Sequence, residues 1–106
     1  MAKYLWEATY TAQGIEGVLE EGGTGRRRAV EEVIESLGGR LEAFYYAFGN
    51  NDTYTIFELP DNISASAASL AIIAAGAVRV RTTVLLTPEE IDAAAEKSVQ
   101  YRQPGR

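Results

Sequence analysis

Arg40-Leu-Glu-Ala-Phe-Tyr-Tyr-Ala-Phe48, Gly49-Asn50-Asn51-Asp52, Thr53-Tyr-Thr-Ile-Phe-Glu-Leu-Pro-Asp61: two runs rich in aromatic and β-branched residues flank four turn-forming ones. That is the pattern of a β-hairpin. In the first arm Leu41, Ala43, Tyr45 and Ala47 alternate with Glu42, Phe44, Tyr46 and Phe48. In the second, Tyr54, Ile56 and Glu58 alternate with Thr53, Thr55, Phe57 and Leu59. Neither arm has a uniformly polar side. Such strands belong to a sheet covered on both faces, which in a chain of 106 residues implies a second subunit.

Working outward from the hairpin, a strand-then-helix theme repeats on either side. Residues 3–11 read as a strand with Tyr4, Trp6, Ala8 and Tyr10 on one face and Lys3, Leu5, Glu7 and Thr9 on the other. Residues 12–38 read as a helix interrupted by Gly22-Gly23-Thr24-Gly25, with Thr24 placed to cap the second part. In that part Val30, Val33, Ile34 and Leu37 form one apolar stripe, and Gly38-Gly39 end it. Beyond the hairpin a helix is expected from about Ile63 to Ala75, rich in small side chains, with Gly76 closing it. Residues 77–86 form the last strand, with Val78, Val80, Thr82, Val84 and Leu86 opposite Arg79, Arg81, Thr83 and Leu85. Thr87-Pro88-Glu89-Glu90 is a capping box for a final helix ending near Ser98. The domain is expected over residues 1–99 and a flexible tail over 100–106.

The order β-α-β-β-α-β with right-handed crossovers gives an α+β, ferredoxin-like fold: a four-stranded antiparallel sheet, helices on one face, and a C-terminal helix.

Composition narrows the chemistry. Fifteen acidic against ten basic side chains leave a net charge of −5, which disfavours nucleic acid as a partner. There is no cysteine and no histidine. Disulfides, thiolate nucleophiles and Cys-ligated zinc are thereby excluded, and any metal site would be all-oxygen; neither a metal nor a cofactor is expected. An acid–base catalyst would have to be a carboxylate, a tyrosine or a lysine. The N-terminus has no signal-peptide pattern, and the apolar-rich run from Ala65 to Val80 is too short and too weakly hydrophobic to span a bilayer, so a cytoplasmic protein with no membrane partner is expected.

The chain resembles the GYD domain family over most of its length. The resemblance rests on Tyr10-Thr11-Ala12-Gln13-Gly14-Ile15, Leu37-Gly38-Gly39-Arg40-Leu41 and Phe44-Tyr45-Tyr46-Ala47-Phe48-Gly49. It continues through Asp52, Glu58-Leu59-Pro60-Asp61, Val78-Arg79-Val80-Arg81-Thr82 and Leu86-Thr87-Pro88-Glu89-Glu90. One departure stands in the naming signature Gly-x-Tyr-Asp, which reads Gly49-Asn50-Asn51-Asp52 here, with Asn51 in the tyrosine's place. The resemblance implies a dimeric α+β barrel of ferredoxin-like units without an assigned activity.

The candidate site residues are Trp6, Tyr46, Asp52, Tyr54, Arg79 and Arg81, each with two readings. Asp52 is either a pocket carboxylate or a residue that closes its own turn, the second being favoured. Arg79 and Arg81 either bind an anionic ligand or join an ion-pair network, within the sheet, where Glu7 and Glu58 stand on other strands, or across a dimer interface, again with the second favoured. Trp6, Tyr10, Phe44, Tyr46, Tyr54 and Phe57 either line an aromatic pocket or, as favoured, simply pack in the core and interface. Arg26-Arg27-Arg28 marks either an anion or partner contact or, as favoured, a solvated face. The leading expectation is a homodimer or higher oligomer, joined through its sheet, that binds a small molecule or serves as an assembly module. A structural subunit would expose an apolar patch on the last helix, around Ile91 and alanines 93–95. The rival is an enzyme: dimeric α+β barrels include cofactor-independent monooxygenases and isomerases, an analogy of fold alone.

Overall fold

The computed structural model describes every residue, Met1–Arg106. Eight elements follow in order: β1 (Ala2–Tyr10), α1 (Ala12–Glu21), α2 (Gly23–Ser36), β2 (Arg40–Tyr46), β3 (Thr53–Leu59), α3 (Asn62–Ala74), β4 (Val78–Leu85) and α4 (Pro88–Ala95). The strands form one antiparallel sheet in the order β2-β3-β1-β4, so the first and third strands lie at the centre. This is the ferredoxin-like arrangement expected from the sequence. No helix is long and apolar enough to cross a membrane.

Directly opposed residues of paired strands share a face. Tyr4 faces Phe57 on β3 and Val84 on β4, Trp6 faces Thr55 and Thr82, and Ala8 faces Thr53 and Val80. These residues look toward the helices. The core gathers at one end of that face, where Tyr4, Trp6, Phe57 and Leu59 meet Ile34 of α2 and Ala65 and Ala68 of α3. Ring centroids lie 5.6 Å apart for Tyr4 and Phe57 and 4.3 Å apart for Trp6 and Phe57, within the range of favourable aromatic pairs. The stripe on α2 supplies the helix side: Ile34 is fully buried, and Val30, Val33 and Leu37 pack around it.

The helix starts are each fixed by a side chain except one. Thr11 accepts from the Gly14 N–H, Asp61 from the Ser64 N–H at 2.8 Å, and Thr87 from the Glu90 N–H, whose own carboxylate returns the bond. The Ser64 amide holds the Asp61 carboxyl below its ordinary range. The exception corrects an expectation. Thr24 caps nothing: the break between α1 and α2 narrows to Gly22, which serves as C-cap of one and N-cap of the other without a side-chain bond. Its φ of 83° lets the chain turn in a single residue.

A second correction concerns the hairpin. A bulge at Glu42 shifts the register, so that Leu41 faces Phe57 but Ala43 faces Ile56. Leu41 therefore shares the helix side with Phe44 and Tyr46, while Ala43 and Tyr45 lie on the other. The extra residue is used, because Glu42 pairs with Lys3 of β1 at 2.8 Å. The first arm also stops at Tyr46, short of Phe48, and α4 stops at Ala95, short of Ser98.

The sheet's second face carries Leu5, Ala43, Tyr45, Tyr54, Ile56 and Leu85, and no helix of the chain covers it. Every residue from Pro88 onward is exposed. The radius of gyration is 16.9 Å, against about 13 Å for a compact domain of this length. The C-terminal segment accounts for the excess by standing away from the body.

Gly39 joins α2 to β2, and a Cβ there would collide with the Glu58 carbonyl oxygen and with Leu59. Gly39→Ala should cost about 1–3 kcal/mol in urea denaturation, the usual range for overpacking. Gly17→Ala, in open space on α1, should instead gain about 0.5–1 kcal/mol.

Candidate functional site

Past Trp6, toward Tyr10, the side chains between sheet and helices become small. β1 contributes Ala8, β3 contributes Thr53 and Thr55, and α2 turns Ala29 inward. The packing stops there and leaves a pocket of about 210 Å³. Its floor is the sheet, including Phe44, Val78 and Val80, and its roof is Val30 and Val33 of α2 with Ile72 of α3. Trp6 stands at the inner end, 3% exposed. Tyr10 and Arg26 stand at the outer end, four strand positions away, a span of about 13 Å.

The polar side chains of the wall are Arg26, Thr53 and Thr55, and the groups at the pocket's two ends have unusual surroundings. The Trp6 indole N–H is buried and has no hydrogen-bond partner, a deficit of about 1–3 kcal/mol for a buried donor. At the outer end, burial pushes the Tyr10 phenol up to about 12; the neighbouring Tyr46 adds to the rise and the Arg26 guanidinium opposes it. Tyr10 therefore keeps its proton at neutral pH. Arg26 is the one charged residue in the wall, and its ion pair with Glu21 is long, at 3.5 Å. Tyr46 does not line the pocket; its hydroxyl donates to the Gly23 carbonyl at 3.1 Å and clamps the hairpin to the start of α2.

A separate polar cluster lies on the opposite face of the sheet. Asn51, only 7% exposed, donates to Glu7 Oε2 at 3.1 Å and to the Tyr54 hydroxyl at 3.3 Å, and accepts from the Thr9 hydroxyl. Arg81 reaches Glu7 at 3.5 Å; Arg79 makes no ion pair, and Glu58 pairs with Arg40 instead. The Arg40 guanidinium holds the Glu58 carboxyl below its ordinary range. Asp52 closes the loop: its carboxylate accepts from the Tyr10 N–H at 2.8 Å, and its own N–H donates to the Ala8 carbonyl. The Asp52 side chain thus fastens its loop to β1 and not to its own turn, and of the two arginines only Arg81 pairs, with Glu7.

The six candidate residues are therefore not gathered in one place. Trp6 lies in the pocket and Tyr46 beside its mouth, Tyr54, Arg79 and Arg81 lie across the sheet, and Asp52 sits in the connecting loop. Of the aromatic set, Trp6, Tyr10 and Phe44 line the pocket, Phe57 is core, and Tyr54 is on the far face. Arg26 is the residue that the sequence reading set aside. Its signal was present, because Arg26 precedes Val30 by four positions and so lies on the apolar stripe of α2. No group of three or more Asp or Glu side chains is placed to hold a metal ion.

A family model for the GYD domain matches residues 4–95, nearly all of the folded chain. No curated protein and no solved structure matches it.

The raised Tyr10 ionisation gives a pH signature. A group whose pKa rises on folding stabilises the fold fully below the unfolded value, about 10 for tyrosine, and loses that contribution as pH climbs through the folded value of about 12. Urea denaturation between pH 9 and 12 should show stability falling more steeply in the wild type than in Tyr10→Phe.

Proposed function

The chain belongs to the GYD domain family, and we propose that it is a small-ligand-binding module that works as a homodimer. The observation that carries the binding reading is the pocket over β1: about 210 Å³ walled mostly by apolar side chains, with Arg26 at its outer end and Thr53 and Thr55 in its floor. Ligand sites share this make-up, mostly apolar with a few placed polar groups. The wall supports holding a molecule over transforming one. Its only titratable side chains are Tyr10, which retains its proton, and Arg26, which cannot act as a base near neutral pH.

A second copy of the same chain is the occupant proposed for the open face. Leu5, Ile56 and Leu85 form an apolar centre there, with Tyr45, 70% exposed, beside them. A contiguous apolar patch rimmed by charges marks an interaction surface. The C-terminal segment supports the same reading: α4 is well capped yet buries nothing against its own body, and Ile91 stands exposed on it. In a pair of copies such an arm has a surface to lie on.

Binding is tested with the single tryptophan, whose indole N–H gives one resonance in a ¹H–¹⁵N spectrum. A panel of ring-bearing fragments should contain members that move this resonance in the wild type but not in Ala29→Leu, which fills the pocket. A panel that leaves it unmoved counts against a ligand pocket. Dimerisation is tested by sedimentation at micromolar concentration: the wild type should run as a dimer and Ile56→Glu as a monomer. A monomeric wild type would remove the pairing through the sheet.

A further inference from the structure

We infer that the pocket takes a single-ring carboxylic acid, with its ring against Trp6 and Phe44 and its carboxylate on Arg26; this rests on the ligand-binding reading above. Size sets the first bound. An apolar cavity of about 150 Å³ accepts benzene, and a water molecule occupies about 30 Å³ of liquid. The 210 Å³ here thus holds one ring and a substituent about the size of two waters, which a carboxylate matches.

The walls set the second bound. Trp6, Tyr10 and Phe44 present aromatic surface to whatever enters, and aromatic groups pair best with other rings. Val30, Val33 and Ile72 close the roof without a polar atom, so the body of the ligand must be apolar.

Charge sets the third. The chain as a whole is acidic, at −5, and its field opposes the approach of anions. The pocket reverses that sign locally, since Arg26 is its only charged residue. A guanidinium holds a carboxylate through two parallel bonds. Its present partner, Glu21, is a weak competitor: the contact is 3.5 Å and the Glu21 side chain is about half exposed, and such surface pairs contribute little. The protonated Tyr10 phenol beside Arg26 provides a further donor.

The test uses the full ¹⁵N-labelled chain, the Trp6 indole resonance, and three probes: benzoate, benzamide and acetate. Benzoate has ring and charge, benzamide the ring alone, and acetate the charge alone. Benzoate should move the resonance at concentrations at least tenfold below the other two, the usual strength of a charged hydrogen bond. Arg26→Gln should lower benzoate to the benzamide level and leave benzamide unchanged; Arg26→Lys, which keeps the charge without the planar fork, should fall between. Equal binding of benzoate and benzamide, unaffected by Arg26→Gln, would overturn the carboxylate while leaving a ligand pocket standing. Equal binding of acetate and benzoate would overturn the ring. If none of the ring probes moves the resonance, the ligand-binding reading fails with it.

Discussion

The contact between Trp6 and Phe57, 4.3 Å between ring centroids, is the hinge on which the rest of the structure turns. It joins the two central strands on the helix-facing side of the sheet. Toward Tyr4 everything large gathers: Phe57, Leu59 and Ile34 are fully buried around it. Toward Tyr10 the strand partners shrink, from Phe57 opposite Tyr4 to Thr55 opposite Trp6 and Thr53 opposite Ala8. Close-packed interiors normally leave few voids larger than a water molecule. A core at one end of β1 and a hollow at the other therefore follow from one gradient of side-chain size along paired strands.

That gradient also explains how two faces of one sheet acquire separate uses. The helix side combines core and pocket, and the pocket's polar side chains come from β3 and α2, with the Tyr10 phenol of β1 at the outer end. The open side holds an apolar centre with a polar corner made by Asn51, Glu7, Tyr54 and Thr9. The corner keeps the loop before β3 ordered: a buried amide with three partners is costly to leave unmatched. Asp52, next in the chain, fastens the same loop to the backbone of β1 at Ala8 and Tyr10. The loop thus fixes the position of Tyr10, and through it the mouth of the pocket, without lining the pocket itself.

The architecture was legible in the sequence because its signals are periodic. Alternation gave the strands, the Val30–Leu37 stripe gave the buried face of α2, and Thr87-Pro88-Glu89-Glu90 gave the start of α4 as a complete capping box. What escaped were events at single positions. The bulge at Glu42 reverses the sides of the residues that follow it, and nothing in a simple alternation marks it. Thr24 is a suitable cap residue, but Gly22 turns the chain two residues earlier because only glycine takes that backbone angle readily. The site was the least legible part. Tyr46, Tyr54, Arg79 and Arg81 have plausible chemistry, yet their positions relative to Trp6 depend on strand face, which separates Tyr54 and the two arginines from it. Arg26 read as one of three charges on a solvated helix, whereas its place four residues before Val30, on the apolar stripe of α2, brings this one arginine to the pocket.

The hollow beside Trp6 is most directly examined by a crystal structure of the full chain under xenon pressure, since apolar cavities of this size take up the gas. Xenon density among Trp6, Val33 and Val80 is the expected result, with Ala29 held clear of the sheet. Density absent, with α2 closed down so that Ala29 and Val33 touch Trp6 and Thr55, would contradict a pocket in this fold.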